Sequence, residues 1–182
     1  AVHGSSVMVD QAAEPRTGVP ARILTVAAAA ELVDVWAGAL VADGKLGAGD
    51  RVVVATPNSV EMLLATLAVS RAGGIPAPVN DAMRDDEIAH VVRDADASVV
   101  IRGVDELDAL ALRLGVNSGL GEDRGATERV AALFYTSGTT GSPKGAALTH
   151  RALVGELGRL APAEQEMRDD AFAVIRRVGV AT

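Results

Sequence analysis

The sequence contains no cysteine, which excludes a disulfide framework and any thiolate metal site. No apolar stretch approaches the ~20 residues of a bilayer-spanning helix. The N-terminal residues lack the positive-then-apolar pattern of a secretory leader. Positive charge is also scarce. The formal net charge is −7 and no basic run occurs, so a nucleic-acid binder working by phosphate neutralisation is not expected. Lysine is the rarest cation. Lys45 and Lys144 are the only two, against fifteen arginines, so few positions can offer a compact ammonium. What is present is apolar: 49% of residues, with 23% charged, a balance that excludes an intrinsically disordered chain. The 182 residues suit one large or two small domains. The expectation is a soluble α/β protein of a reducing compartment, the cytoplasm.

Residues 1–20 mix Gly, Ser, Pro and charges without periodicity and read as a loose N-terminal segment. Thr25 is placed to cap a helix from Val26 to about Asp43. Along it Ala29, Val33, Trp36 and Leu40 fall on one face as a core stripe, and Gly44 stops it. The run 52–55 is wholly apolar, as in a strand buried on both sides of a parallel sheet. The unit then repeats. Ser59 caps a helix through Arg71, Gly73 and Gly74 end it, and 75–79 is a strand whose Pro76 and Pro78 mark an edge or irregularity. Asp85, Asp86 and Glu87 put negative charge at the start of a third helix. Strand 97–101 and helix 104–114 follow. This alternation predicts an α/β fold: a mostly parallel sheet with helices on both faces. The division expected is a first βα subdomain over 21–114, a linker over 115–128, and the start of a second subdomain over 129–182.

Chemistry concentrates after the linker. The apolar strand 130–135 runs into Thr136, Ser137, Gly138, Thr139, Thr140, Gly141, Ser142, Pro143, Lys144 and Gly145. These ten residues hold five hydroxyls, three glycines, one lysine and no acid. Glycines permit close backbone approach and positive φ; hydroxyls, amides and the ammonium suit anionic oxygens. The loop can therefore hold a polyphosphate. It is not a Walker A loop, which needs Gly-Lys-Ser/Thr opening a helix. Here apolar residues follow Lys144, a helix restarts only near Thr149 and His150, and the loop reads as the tip between two strands.

The eleven residues Tyr135 to Gly145, with Leu148, Thr149, His150 and Arg151 after them, resemble the signature of the AMP-forming adenylating enzymes. That superfamily includes acyl-CoA synthetases, peptide-synthetase adenylation domains and luciferases. Upstream, 46–52, Pro57-Asn58-Ser59, Ala72-Gly73-Gly74 and Pro78-Val79-Asn80 are similar to the start of the family's large domain, so the resemblance covers roughly 24–160. It implies the large N-terminal domain of an AMP-forming ligase that activates a carboxylic acid, of the fatty type, with ATP and magnesium. An acyl-adenylate forms and the acyl group passes to coenzyme A. Carried over, Thr136, Ser137, Thr139 and Thr140 would donate hydroxyls to the β- and γ-phosphates. Gly138, Gly141 and Gly145 would open the backbone, and Lys144 would neutralise charge.

The departures are as informative. The family's adenine-binding aromatic, ribose-binding aspartate and late catalytic lysine are not found: Tyr135 is the only tyrosine and no lysine follows Lys144. Past residue 160 the resemblance fades into a strand-like 171–175. The implied chain is an N-terminal portion of a longer enzyme with no catalytic residue of its own and an incomplete active site. A second reading is a non-catalytic α/β module that self-associates or binds a partner through apolar faces left open by truncation. No protein-bound metal is expected, since no two histidines have ligand spacing. His150 reads as a helix cap, ahead of a residue touching substrate or nucleotide; His90 reads as a helix residue without a role, and the 81–87 acidic run as a solvated helix start, ahead of a carboxylate cluster that recruits a cation.

Overall fold

The computed structural model describes residues 7–11, 21–116, 130–136 and 143–160. Its centre is a three-stranded parallel sheet ordered β4-β3-β5, formed by Arg51–Thr56 (β3), Ile75–Asn80 (β4) and Ala97–Ile101 (β5). β3 lies in the middle, and Val52, Val53 and Val54 are each 0% exposed. Strand side chains alternate faces, so burial on both sides requires a layer above and a layer below. Two layers are present. Val52 and Val54 pack with Val26–Ala42 (α1), Val60–Arg71 (α2) and Leu107 of Asp105–Leu114 (α4). Val53 and Ala55 pack with Ile88 and Val91 of Asp85–Asp94 (α3). The chain leaves β3 in one direction along the sheet to reach β4 and returns in the other to reach β5. Crossovers of one hand taken in opposite directions drop their helices on opposite faces.

The expected caps are in place. Thr25 Oγ1 accepts from the Ala28 amide at 3.2 Å and Ser59 Oγ from the Met62 amide at 3.3 Å. Gly73, at φ +89°, turns the chain out of α2. The stripe Ala29, Val33, Trp36 and Leu40 is buried throughout, and the Trp36 indole N–H donates to Asp108 Oδ1 at 2.7 Å, joining α1 to α4. Arg71 and Asp34 join α2 to α1 by an ion pair at 3.0 Å. The Arg51 guanidinium holds the turn between α3 and β5, donating to the Ala95 carbonyl at 2.8 Å and the Asp96 carbonyl at 3.0 Å.

Two antiparallel ribbons complete the fold. Val130–Thr136 (β6) pairs with Lys144–Thr149 (β7), which leads into His150–Leu160 (α5). Leu133 and Tyr135 pack on the α3 side of the sheet core. β6 runs alongside β4, yet no ladder joins them among the described residues. β4 pairs with β3 over six residues. Pro76 and Pro78 have no N–H to offer another strand.

The other ribbon departs from the expected loose start. Val7–Gln11 (β1) is a strand paired with Arg22–Thr25 (β2). Five residues of mixed character give no periodic signal alone; the partner strand makes them one. The linker beyond residue 116 and the strand expected at 171–175 lie outside the described residues. Among the described residues no helix is long and apolar enough to cross a membrane.

Core position decides the effect of substitution. Leu64 is 0% exposed and Leu112 is 85% exposed. Leu64→Ala is expected to lower stability by about 2–5 kcal/mol, and Leu112→Ala to shift it by no more than about 0.5 kcal/mol, both read from urea unfolding midpoints.

Candidate functional site

The loop of interest joins β6 to β7, and these two strands pair antiparallel, as its flanking sequence predicts. Thr136 and Lys144 are register partners at its mouth. Facing residues of an antiparallel pair project from the same side, so the first hydroxyl and the lysine of the expected phosphate site stand together. Both are exposed, and Lys144 makes no ion pair among the described residues. Ser137, Gly138, Thr139, Thr140 and Gly141, together with Ser142, lie outside the described residues.

The next pair along the ribbon is Tyr135 with Gly145. The sequence reading gave Gly145 the task of opening the backbone to a ligand. The structure gives it a close neighbour as well: a Cβ there would sit 2.9 Å from Tyr135 Cζ and 3.1 Å from its Oη. Glycine lets the phenol ring lie across the facing strand. The ring then delivers its hydroxyl to α3, where it donates to Asp94 Oδ2 at 2.8 Å. Burial, the hydrogen bond and the Asp94 charge together push the Tyr135 phenol from 10.0 up to about 12.

Four residues earlier on α3, His90 Nε2 lies 3.0 Å from the Pro143 carbonyl oxygen. A carbonyl only accepts, so Nε2 carries the proton. Residues four apart share a helix face. His90, expected to be without a role, and Asp94, not singled out, therefore reach the two stems of the loop. His150 is also corrected. The helix cap is Thr149, whose Oγ1 accepts from the Ala152 amide at 3.2 Å, and His150 is the buried first residue of α5. Among the described residues no group of three His, Asp or Glu could hold a metal ion.

A ribbon presenting hydroxyl and lysine beside a glycine-bearing tip, set against a doubly wound parallel sheet, matches one family in sequence as well as form. The profile described as AMP-binding enzyme matches residues 8–176. The chain belongs to the AMP-binding enzyme family. The match extends beyond the 24–160 over which the resemblance is legible by eye. Over 122 residues the chain is 35% identical to the 4-chlorobenzoate–CoA ligase of an Arthrobacter species, covering 56% of this chain and 23% of that protein. Over 127 residues it is 32% identical to the beta-alanyl-bioamine nonribosomal peptide synthetase ebony of Drosophila melanogaster, covering 60% and 14%. The crystal structure of ATP-bound MatB from Rhodopseudomonas palustris superposes with a TM-score of 0.63 at 28% identity, over 85% of this chain and 34% of MatB. This AMP-binding chain thus spans well under half the length of each relative.

Because Tyr135 is the only tyrosine, tyrosinate absorbance reads it alone. Its midpoint is expected near pH 12 and to fall toward the ordinary value in Asp94→Asn, which keeps an acceptor but removes the charge. The sign for stability follows from a raised phenol. The stability that goes with the buried, protonated phenol is whole below pH 10 and is lost as pH rises through about 12. The stability deficit of Tyr135→Phe should shrink over that window in urea titrations. Gly145→Ala forces the ring aside and is expected to destabilise by about 1–3 kcal/mol, measured the same way.

Proposed function

We propose that the chain is the N-terminal portion of an ATP-dependent, AMP-forming acid–thiol ligase. It activates a carboxylic acid as acyl-adenylate and passes the acyl group to coenzyme A. The acid is of the fatty or another apolar type. The observation that carries the reading is the exposed Thr136–Lys144 pair at the mouth of a Gly/Ser/Thr loop within a member of the AMP-binding family.

The chain's contribution is to hold phosphate. Lys144 sets an ammonium against the β- and γ-phosphates, and Thr136, Ser137, Thr139 and Thr140 add hydroxyl donors. Gly138, Gly141 and Gly145 leave backbone room along the loop. The acid's carboxylate oxygen bonds to the α-phosphorus as the bond to the bridging oxygen breaks. The departing pyrophosphate carries away the charge that these donors stabilise, so the contribution is positioning plus electrostatics. Magnesium fits this arrangement as an ion borne by the nucleotide. The described residues offer no carboxylate cage, and magnesium is commonly held through substrate phosphates. It would add positive charge beside the pyrophosphate. The ribose, adenine and acid contacts fall to residues outside this chain.

A second reading has its own observation. Phe134 is 43% exposed on the same ribbon face as Ala146, its exposed register partner. An apolar patch of this kind suits self-association or a protein partner without catalysis.

Calorimetric titration with ATP and magnesium separates the readings. Saturable binding is expected, and Lys144→Ala should weaken it by roughly tenfold to a hundredfold, the worth of a charge-assisted contact. No heat in the wild-type chain, with a dimer in sedimentation that Phe134→Ser dissolves, would select the non-catalytic module.

A further inference from the structure

The β6–β7 ribbon raises a mechanical question. It lies beside β4 without a ladder among the described residues, so something other than a ladder must fix its stems. Two side chains of α3 do so. On one stem, the Pro143 carbonyl precedes the first ladder pair, Thr136 with Lys144, and it would otherwise need a donor at the loop's end. The His90 Nε2–H supplies one at 3.0 Å. On the other stem, Tyr135 is held from both sides. Its ring crosses Gly145 and its hydroxyl donates to Asp94 at 2.8 Å. The two anchors sit one helical turn apart on a helix that is itself fixed. Ile88 and Val91 bury against the sheet, and Arg51 grips the turn that follows.

We infer that α3 is a two-point clamp in which His90 and Asp94 are positioning residues. They set the spacing and orientation of the loop stems, and with them the Thr136–Lys144 pair. Neither residue touches the nucleotide in this scheme; each acts through a stem. The clamp rests on the nucleotide reading above for its consequence, phosphate affinity, but not for its existence.

The chain carries its own probe. With lysines only at 45 and 144, a lysine-specific endopeptidase cuts at the clamped stem and at one distant turn. Lys45, exposed between α1 and β3, serves as the reference within each molecule. Cleavage of a transiently open segment follows the open population. Loss of a hydrogen bond should therefore raise the Lys144-to-Lys45 cleavage ratio, by roughly two- to tenfold for the neutral His90 bond and by roughly tenfold or more for the Tyr135 bond to the Asp94 carboxylate. That rise is expected in His90→Ala and in Tyr135→Phe. His90→Gln keeps an N–H of similar reach and should restore most of the protection, which a mere change in helix packing would not do. The same series should weaken ATP binding in calorimetry by a comparable factor, with His90→Gln again recovering it.

Unchanged ratios in both His90→Ala and Tyr135→Phe overturn the clamp. A raised ratio in His90→Ala that His90→Gln fails to lower also overturns it. If the variants open at Lys144 but the wild-type chain gives no heat with ATP and magnesium, the nucleotide reading falls and the two anchors stand. If the wild type binds ATP and the variants bind equally well despite raised ratios, positioning is refuted while the nucleotide reading survives.

Discussion

Everything in this fold hangs on the burial of β3 from both sides. A strand whose consecutive valines are all withdrawn from water cannot lie at a surface, so layers must form above and below it. That single demand places α1, α2 and α4 on one face and α3 on the other. It also decides where the loop can be. With one face closed by three helices, the β6–β7 ribbon joins α3 on the opposite face. The ribbon carries the Thr136–Lys144 pair, but its place was set by a strand with which it shares no ladder among the described residues.

The sheet and its helices were readable because their signals are local. The 52–55 run, the caps at Thr25 and Ser59, and the stops at Gly44 and Gly73 each act within a few residues. Boundaries came close: the first helix ends at Ala42 against an expected Asp43, and α4 begins one residue later than its pattern suggests. The hairpin about the loop was legible for the same reason. An apolar strand, a Gly/Ser/Thr tip and a second apolar run announce each other in sequence.

The two α3 anchors were not legible. His90 lies 53 residues from Pro143, and Asp94 lies 41 from Tyr135. A polar residue on a half-exposed helix face looks the same with or without such a partner. The one available hint was their spacing of four beside a buried Ile88 and Val91, which marks a flank pointing toward whatever packs next. Gly145 shows a related limit. Glycine in a phosphate-type loop invites a ligand explanation alone, and nothing local announces that its missing side chain also makes way for an aromatic ring across the strand. β1 failed for yet another reason, since a short strand exists only through its partner.

The prolines of β4 have an effect that outlasts the question of strand order. Two strands locked by a ladder can shift only by whole pairs, each step turning every side chain to the wrong face. A ribbon lying against a proline-bearing edge escapes that rule. Its seat on α3 is made of a ring, a hydroxyl and an imidazole, contacts that yield by tenths of an ångström. The ribbon's seat can therefore be adjusted by continuous degrees, while the register of the sheet beneath it stays fixed.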